Sequence, residues 1–330
     1  MIGFCIVGAG RIGKLHAGNV AQHPGARIVV VVDAVMEAAE GLAARHGAVP
    51  ETDFVTALGM PGVDAVIIGA PTSMHVDLIL LAARHGKAIL CEKPIDLDIR
   101  RVDACLAEIA KYKVKFAVGF NRRFDPTISK LKKALDRGDV GTPELIIITS
   151  RDPAPPPIEY VRTSGGYFRD STIHDLDLAR WLLGEEPVEV SAFGSNLVDP
   201  AIKAAGDFDT AGTMLRTASG KICIINNSRR AVYGFDQRVE VFGSKGMLQT
   251  ENQRDSGLLR WNESETAAQD RLKLFFLERY EQSFQAELSE FIGAVEGKGE
   301  LSVTGEDGRR ALMLADAAQH AATKGVVVRL

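Results

Sequence analysis

The stretch Gly8-Ala9-Gly10-Arg11-Ile12-Gly13 follows directly on the apolar run Ile2 to Val7, and a second apolar run, Ala26 to Val32, leads into Asp33. A strand, a glycine-rich turn, a helix and an acid about 20 residues past the last glycine together form a dinucleotide-binding fingerprint. A glycine pattern by itself is weak evidence, but the flanking strand, helix and acid make it specific. The sequence therefore predicts a protein that binds a nicotinamide cofactor.

Each part of the fingerprint has a physical task. Gly8 permits the tight turn, Gly10 lets the backbone approach a pyrophosphate, and Gly13 lets the helix pack on the strand. The helix N-terminus then stabilises the phosphate charge. Asp33 is expected to accept hydrogen bonds from the adenosine ribose and to repel a 2′-phosphate, and Ala34 offers no cation to bind one. NAD is therefore expected rather than NADP.

Composition narrows the class of protein. A chain of 330 residues exceeds the size at which one core usually stops growing, so we expect two domains. The net charge is −4, with acids and bases interspersed, which leaves no basic surface for nucleic acid or for a membrane. No apolar run reaches the roughly 18 residues of a membrane span, and the chain enters a strand at once. We expect a cytoplasmic protein with a small-molecule substrate.

The cysteines and histidines give no sign of a metal. The four cysteines show no CxxC pairing and lie mostly in apolar patterns, which is typical of reduced thiols in a core. No set of histidine, cysteine and acidic residues has metal-ligand spacing. His16 is expected to pack inside the fold or to support a site residue, and His75 is a candidate cofactor contact.

The first 120 residues alternate Val/Ile-rich runs with amphipathic helical patterns, as in a parallel sheet covered by helices on both faces. Ligands of such sheets bind beyond the carboxyl ends of the strands. Three junctions lie there, and we expect them to line one cleft: Ala70-Pro71-Thr72, Glu92-Lys93-Pro94 and Asn121-Arg122-Arg123. Past Arg123 the pattern changes to helices and several short strand-like segments, which predicts an open, mainly antiparallel sheet with helices on one face.

The expected fold is thus α/β. It comprises an N-terminal Rossmann domain with a doubly wound parallel sheet over residues 1–121, and a C-terminal α+β domain for substrate binding and oligomerisation over residues 122–330. Alternation of apolar and polar residues is imperfect in the second sheet. One face of that sheet is therefore expected to meet another subunit.

Two groups of residues have side chains suited to catalysis. Lys93 follows a strand and precedes Pro94, which fixes the turn, so its ammonium could stabilise the oxygen that becomes negative as hydride leaves. Asp170 and His174 are four residues apart in a predicted helix, so the carboxylate could orient the imidazole and support its protonated form. On spacing alone, a solvated loop lysine and a helix-capping aspartate beside an ordinary histidine stay open.

These motifs resemble the glucose-fructose oxidoreductase/inositol dehydrogenase family. The resemblance rests on the fingerprint, the Glu92-Lys93-Pro94 turn, Asn121 to Asp125, and Gly165-Gly166 leading to Ile173-His174-Asp175. Members that oxidise inositols are the most similar, through Thr149 to Pro153, Asn226 to Arg230 and Tyr233 to Gly246. The likeness runs from the first strand to about Glu251.

The resemblance implies NAD-dependent oxidation of one axial hydroxyl of myo-inositol to 2-keto-myo-inositol (scyllo-inosose), in inositol catabolism. Lys93, Asp170 and His174 match the catalytic lysine, aspartate and histidine of the family. In this assignment His174 takes the hydroxyl proton while Lys93 holds the oxygen. Family members commonly assemble as homotetramers through the open face of the second sheet.

The resemblance also implies which residues contact the substrate and the cofactor. Besides the catalytic residues, Arg123 and Tyr233 match positions expected to contact the substrate, and Asp152 lies in the loop expected to cover it. The expected cofactor contacts come from the fingerprint, the acid region and the strand-end junctions: Gly8, Gly10, Arg11, Ile12, Gly13, Asp33, Ala34, Pro71, Thr72, His75, Glu92, Lys93, Asn121 and Arg122.

Three alternatives stay open from the sequence. A related dehydrogenase for scyllo-inositol, D-chiro-inositol or a pyranose sugar would keep every catalytic residue. A regulator that senses NAD without turnover would share the fold, although such a protein usually lacks the lysine or the histidine. An enzyme that keeps its cofactor bound between two substrates often carries an N-terminal export segment, which we do not expect in this chain.

Overall fold

A computed structural model describes all 330 residues and divides the chain into two compact units. Unit 1 comprises Met1–Phe124 and Gln282–Leu312, and unit 2 comprises Asp125–Glu281 and Met313–Leu330. The chain first passes from unit 1 to unit 2 after Phe124, close to the boundary after residue 121 that the sequence predicts. The return of residues 282–312 to unit 1 is not part of that expectation.

Unit 1 contains a six-stranded, wholly parallel sheet in the order β3-β2-β1-β4-β5-β6. This is the doubly wound dinucleotide-binding topology, so the predicted Rossmann domain is confirmed. Its elements in chain order are β1 (Ile2–Val7), α1 (Arg11–Gln22), β2 (Ala26–Val32), α2 (Met36–Ala43), β3 (Val49–Glu51), α3 (Phe54–Gly59), β4 (Ala65–Ile68), α4 (Thr72–Arg84), β5 (Ala88–Glu92), α5 (Ile99–Ile109), β6 (Phe116–Gly119) and a 3₁₀ turn (Asn121–Phe124).

The core of unit 1 includes a helix from far along the chain. Side chains of β1, β2 and α1 pack with Leu288, Phe291 and Ile292, and the rings of Phe4 and Phe291 lie 6.2 Å apart. An apolar helix face at the edge of a core has to be buried against some partner. This packing explains why residues 282–312 belong to unit 1.

Unit 2 contains a seven-stranded sheet in the order β12-β11-β7-β10-β9-β8-β15, in which only the β10–β7 pair is parallel. The predicted open, mainly antiparallel sheet is therefore confirmed. The remaining elements in chain order are α6 (Pro126–Asp136), β7 (Pro143–Arg151), α7 (Ile158–Val161), a π-helical turn (Phe168–Thr172), α8 (Ile173–Leu183), β8 (Pro187–Ser195), α9 (Pro200–Ala204), β9 (Thr210–Thr217), β10 (Ile222–Ser228), β11 (Asp236–Gly243), β12 (Gly246–Gln249), β13 (Leu259–Arg260), β14 (Ala268–Gln269), α10 (Phe276–Arg279), α11 (Glu281–Val295), α12 (Gly305–Lys324) and β15 (Val328–Arg329).

The two faces of this sheet differ in character. One face carries buried side chains such as Leu215, and helix α8 packs against β7 and β10. The opposite face leaves large apolar side chains in solvent, among them Phe193 (77% exposed), Met214, Phe242 and Met247. We refer to it below as the open face.

All four cysteines are free and buried, as expected for core thiols. Burial raises the pKa of Cys5 to about 12, with Lys87 acting weakly in the other direction. None of the helices combines the length and the apolar character needed to cross a lipid bilayer.

Candidate active site

Each glycine of the fingerprint has a structural role of its own. Gly8 has φ of +97°, and a Cβ there would lie 2.7 Å from the carbonyl oxygen of Gly69. A Cβ on Gly13 would lie 1.7 Å from the oxygen of Gly8, so the helix packs on the turn only because this residue has no side chain. A Cβ on Gly10 would meet no atom within 4 Å, which leaves the surface above this residue open for a ligand.

The N-terminus of α1 is suited to bind an anion. Gly10 is the N-cap residue of the helix, and as a glycine it places no side-chain oxygen over the first turn. Amides in this position, together with the positive end of the helix dipole, bind phosphate groups. The open surface over Gly10 and this helix end fit the pyrophosphate of a dinucleotide.

Asp33 lies at the end of β2, beside the fingerprint turn. Its Oδ2 accepts a hydrogen bond from the amide of Ala9 at 2.7 Å, and its Oδ1 accepts one from the amide of Val35 at 3.0 Å. Each carboxylate oxygen can accept more than one hydrogen bond. The acid is therefore held in place with capacity left for ribose hydroxyls, and the neighbouring Ala34 is exposed and uncharged.

The three strand-end junctions lie at the carboxyl ends of the neighbouring strands β4, β5 and β6. Pro71 is the N-cap of α4, and Thr72 is its first residue. Asn121 and Arg122 are buried in the 3₁₀ turn after β6. Lys93 directly follows Glu92, the last residue of β5. These positions agree with the placement expected for ligand-binding residues of a doubly wound sheet.

Two buried histidines contact the residues on either side of Lys93. His16 Nε2 lies 2.7 Å from Oε1 of Glu92, which comes immediately before the lysine. His75 Nδ1 lies 2.8 Å from the carbonyl oxygen of Pro94, which comes immediately after it. Both rings are 1% exposed. Because His75 Nε2 also lies 2.8 Å from the oxygen of Ala70, both of its ring nitrogens contact protein atoms.

Arg123 is engaged inside unit 1. Its Nη2 donates to Asp307 Oδ1 at 2.8 Å and its Nη1 donates to the carbonyl oxygen of Ser302 at 3.2 Å. Burial acts to raise the pKa of Asp307, but Arg123 and hydrogen bonds from Thr304 outweigh it and lower the pKa. This buried ion pair gives Arg123 a structural role that does not require a substrate.

In unit 2, Asp170 is held by a tyrosine and an arginine. The hydroxyl of Tyr160 donates to Oδ1 of Asp170 at 2.7 Å, and Nη2 of Arg229 lies 3.4 Å from Oδ2. Arg229 is 1% exposed, lies 3.6 Å from Asp207 and stacks on the ring of Tyr167. One buried guanidinium thus serves two carboxylates.

The helix that carries His174 is anchored from the sheet. Asn227 on β10 donates to Oδ2 of Asp175 at 2.9 Å and accepts from the hydroxyl of Thr172 at 3.1 Å. All three of these side chains are buried. His174, the second residue of α8 and half-buried, is therefore on a rigid segment.

The turn that carries Asp170 is not the regular α-helix expected from the spacing of Asp170 and His174. Asp170 lies in the π-helical turn, and α8 begins only at Ile173. A π turn closes i→i+5 hydrogen bonds, so residues four apart no longer lie directly above one another. Such turns are frequent at functional sites.

The remaining expected substrate contacts, Asp152 and Tyr233, lie in loops that follow strands β7 and β10 of unit 2. Asp152 follows β7, with its backbone bonded to Ser228 and Ala231. The Tyr233 hydroxyl donates to Asp236 at 2.6 Å and accepts from Arg151 at 3.0 Å, while about half of this residue is exposed. Tyr233 is therefore part of a polar network on the sheet.

Sequence reasoning did not single out Tyr160, Arg229 or Asn227 as supports of the catalytic residues. A charged or amide side chain in an otherwise apolar strand is a usable signal, because such groups are buried only with partners. Arg229 and Asn227 lie at the end of the apolar run from Ile222. Tyr160 gives no signal, since its partner is ten residues away across a loop.

Known proteins resemble this chain in both sequence and fold. The oxidoreductase family with an NAD-binding Rossmann fold matches residues 2–120, and the GFO/IDH/MocA C-terminal domain matches residues 128–249. Inositol 2-dehydrogenase of Rhizobium meliloti is 50% identical over 96% of this chain and 95% of its own length. A crystal structure of a myo-inositol dehydrogenase from Corynebacterium glutamicum superposes with a TM-score of 0.96 at 42% identity, covering 100% of this chain and 99% of the other. Scyllo-inositol dehydrogenase from Lactobacillus casei, solved with NAD(H) and scyllo-inositol bound, has a TM-score of 0.93 at 31% identity and covers 100% and 99%.

Proposed function

Since the chain belongs to the GFO/IDH/MocA family of oxidoreductases with an NAD-binding Rossmann fold, we propose that it oxidises myo-inositol to 2-keto-myo-inositol in inositol catabolism, with NAD as hydride acceptor. The observation that carries this proposal is the 50% identity with an inositol 2-dehydrogenase over nearly the whole of both chains. The fingerprint turn, with its open surface over Gly10 and its braced Asp33, supports the choice of NAD.

The reaction converts a secondary alcohol to a ketone, so the carbon loses a hydride and the oxygen loses a proton. Bound NAD would supply the acceptor for the hydride. His174 takes the hydroxyl proton as general base, and Lys93 holds the same oxygen and stabilises its developing negative charge. Asp170 supports the protonated imidazole. Its own carboxylate is kept in one orientation by Tyr160 and Arg229.

The wider set of contacts is also a proposal. The cofactor is bound by the fingerprint, Asp33 with Ala34, and the strand-end junctions, and Asp152 and Tyr233 contribute to the substrate pocket. Arg123 acts on the substrate less directly, because Asp307 and Ser302 already occupy its guanidinium. Polar loop residues decide between one cyclitol and another, so these assignments also set the substrate preference.

The decisive experiment is NADH formation at 340 nm by the purified protein. We would supply NAD or NADP with myo-, scyllo- and D-chiro-inositol, glucose and xylose. The highest kcat/KM with myo-inositol and NAD is the expected result. A higher value with scyllo-inositol would favour the second candidate, a scyllo-inositol dehydrogenase, for which the likeness to the Lactobacillus casei enzyme is the supporting observation. Binding of NAD without turnover of any polyol would overturn both.

We further propose a homotetramer that assembles through the open face of the unit 2 sheet. Exposed apolar patches of this kind mark interaction surfaces. Light scattering should give four times the 35.6 kDa chain mass, and Met214→Glu, which places a charge on the open face, should lower that mass. A monomeric wild-type protein would contradict the proposal. We also propose a cytoplasmic location, which the four free cysteines support.

A further inference from the structure

Unit 2 contains a cleft of about 260 Å³ that plays no part in the proposed reaction. It is bordered by two arginines, a carboxylate, a side-chain amide and two consecutive glycines: Arg162, Arg169, Asp207, Gln319, Gly165 and Gly166. We refer to it as the arginine cleft. None of the residues expected to contact the substrate or the cofactor lines it. Pockets for drug-sized ligands begin at about 300 Å³, so this cleft fits a smaller molecule, of the size of a sugar.

The arginine cleft offers hydrogen-bond donors that the protein itself does not use. Arg162 is exposed, and Arg169 uses its Nε to donate to Asp316 at 2.5 Å, which leaves its two terminal nitrogens. Gly165 and Gly166 have φ of +86° and +93°, and neither backbone amide donates to a protein acceptor. Guanidinium groups and consecutive unpaired amides are the donors that bind phosphate and carboxylate groups. These donors therefore indicate a ligand with a negative charge.

The same cleft also presents acceptors. A Cβ on Gly166 would lie 3.3 Å from Oδ1 of Asp207 and 3.6 Å from Oε1 of Gln319, so both oxygens face the space that this glycine leaves open. Asp207 is 7% exposed, and its Oδ2 has no hydrogen-bond partner. Buried polar atoms normally have partners, so this carboxylate beside a cleft indicates a donor that the protein does not supply. Because Asp207 would repel a bare anion, the ligand must also carry donor groups such as hydroxyls.

We propose that the arginine cleft binds a polyhydroxylated anion, which is a sugar or polyol that carries a phosphate or a carboxylate. The charged group of the ligand binds Arg162, Arg169 and the glycine amides. Its hydroxyls donate to Asp207 and Gln319. Phosphate and carboxylate share this recognition, and the experiment below distinguishes them.

The cleft is linked to the expected catalytic residues through Arg229. Nη2 of this buried arginine lies 3.6 Å from Asp207 and 3.4 Å from Asp170. A ligand hydroxyl that donates to Asp207 replaces part of the contribution of Arg229, which can then pair more closely with Asp170. Asp170 would give less support to the protonated His174, so a bound ligand should lower kcat. This consequence rests on the proposed function, whereas the binding site does not.

The first test is isothermal titration calorimetry with saturating NADH, which occupies the dinucleotide site and allows no oxidation. Glucose 6-phosphate and gluconate each carry both hydroxyls and a charge, whereas myo-inositol and inorganic phosphate carry only one of the two. The tighter of the first pair should bind at least about tenfold more tightly than either of the second pair, because it alone makes both sets of hydrogen bonds. Its identity shows which charged group the cleft prefers. Inorganic phosphate that binds equally well, or no binding of either hydroxylated anion, would overturn the proposal.

Variants then locate the ligand. Arg162→Ala should raise the dissociation constant about 10- to 100-fold, since it removes charge-assisted hydrogen bonds, and Gln319→Leu should raise it about 3- to 10-fold. The matched control is Arg260→Ala, which removes an exposed arginine on β13, outside the cleft, and should bind as wild type. Because Arg162 is exposed, its replacement should leave the fold intact. Wild-type affinity in Arg162→Ala would place the ligand elsewhere and overturn the site.

The link to Asp170 has its own measurement. At saturation, the ligand should lower kcat for the polyol that the enzyme oxidises by about fivefold or more, the lower limit of usual coupling between sites. The same concentration should have little effect on Arg162→Ala. An unchanged kcat in wild type with the ligand bound would overturn the link through Arg229. Calorimetry needs no turnover, so failure of the proposed function and failure of the binding site are seen separately.

Discussion

The carboxylate of Asp33 accepts a hydrogen bond from the backbone amide of Ala9 at 2.7 Å, so the acid expected to select the cofactor also braces the glycine turn that binds it. The two tasks are coupled through one side chain. A substitution at Asp33 therefore acts on both the choice of cofactor and the rigidity of its site.

Exchange of the acid should shift cofactor preference. In Asp33→Ser combined with Ala34→Arg, the repulsion of a 2′-phosphate is removed and a cation is supplied. We expect kcat/KM with NAD to fall about 10- to 100-fold, since hydrogen bonds to a charged group contribute about 1.5–3 kcal/mol, and activity with NADP to rise. Steady-state kinetics with both cofactors measure this, and Asp53→Asn, at the exposed cap of α3, is the control. An unchanged NAD/NADP ratio would contradict the role of Asp33.

Removal of the catalytic groups should spare cofactor binding. Lys93→Ala and His174→Ala are each expected to lower kcat by about 10²- to 10⁴-fold. The first variant lacks the ammonium that stabilises the substrate oxygen, and the second lacks the base that accepts the hydroxyl proton. NAD binding, followed by fluorescence titration, should stay within a few-fold of wild type. Near wild-type turnover in either variant would remove that residue from the mechanism, and Lys111→Ala, on the surface, serves as control.

Loss of Arg229 should lower the stability of the protein. Arg229→Met leaves Asp170 and Asp207 buried without their shared cation, and burial already raises the pKa of Asp207. Breaking a buried pair in this way costs about 3–5 kcal/mol in the free energy of unfolding. Urea denaturation provides the measurement. Arg230→Met, next in the chain and exposed, should change stability little, and equal effects of the two variants would argue against the network.

Glu287 should make stability depend on pH. Neither of its carboxyl oxygens has a hydrogen-bond partner, and burial, assisted by the charges of Glu92 and Glu290, raises its pKa well above the usual range. Below about pH 4.3 both folded and unfolded chains hold the proton. As pH rises above that value, only the unfolded chain releases it, so the stability contributed by the folded protonated form is progressively lost.

The corresponding variant is Glu287→Gln, which cannot ionise. Its melting temperature relative to wild type should increase from pH 5 to pH 8, whereas the exposed control Glu281→Gln should show no such trend. A difference between Glu287→Gln and wild type that stays constant across this range would mean that Glu287 is ionised in the folded protein.

The sequence predicted the parts of the fold that depend on local pattern. Strands β1 and β2 coincide with the apolar runs Ile2 to Val7 and Ala26 to Val32, because a continuous apolar run that ends at a glycine or an acid marks a buried strand directly. The three-residue strand β3 and the neighbouring α3 were not predicted, since a segment containing Pro50 has too few residues to show a period. Long-range packing could not be predicted either, because the apolar face of a helix such as α11 does not show in the sequence which core it will join.

The candidate site likewise contains residues that the sequence predicts and residues that only the folded chain shows. Residue types with a fixed position relative to a motif, such as Asp33 and Lys93, were found from spacing and family resemblance. Their supports were not, because a hydrogen bond between His75 and Pro94 or between Tyr160 and Asp170 depends on the folded path of the chain. The π-helical turn was missed because no residue type marks an i→i+5 hydrogen bond.

The packing of α11 in the core of unit 1 also bears on the order of events during translation. Residues 1–124 leave the ribosome first, but the unit to which they belong needs Leu288, Phe291 and Ile292 to bury its apolar surface. At about 5–20 residues per second, roughly 10 to 40 s pass before residue 312 is added. During that interval the nascent chain exposes a partly uncovered core, and it is in this interval that a chaperone would find the binding surface that the finished protein lacks.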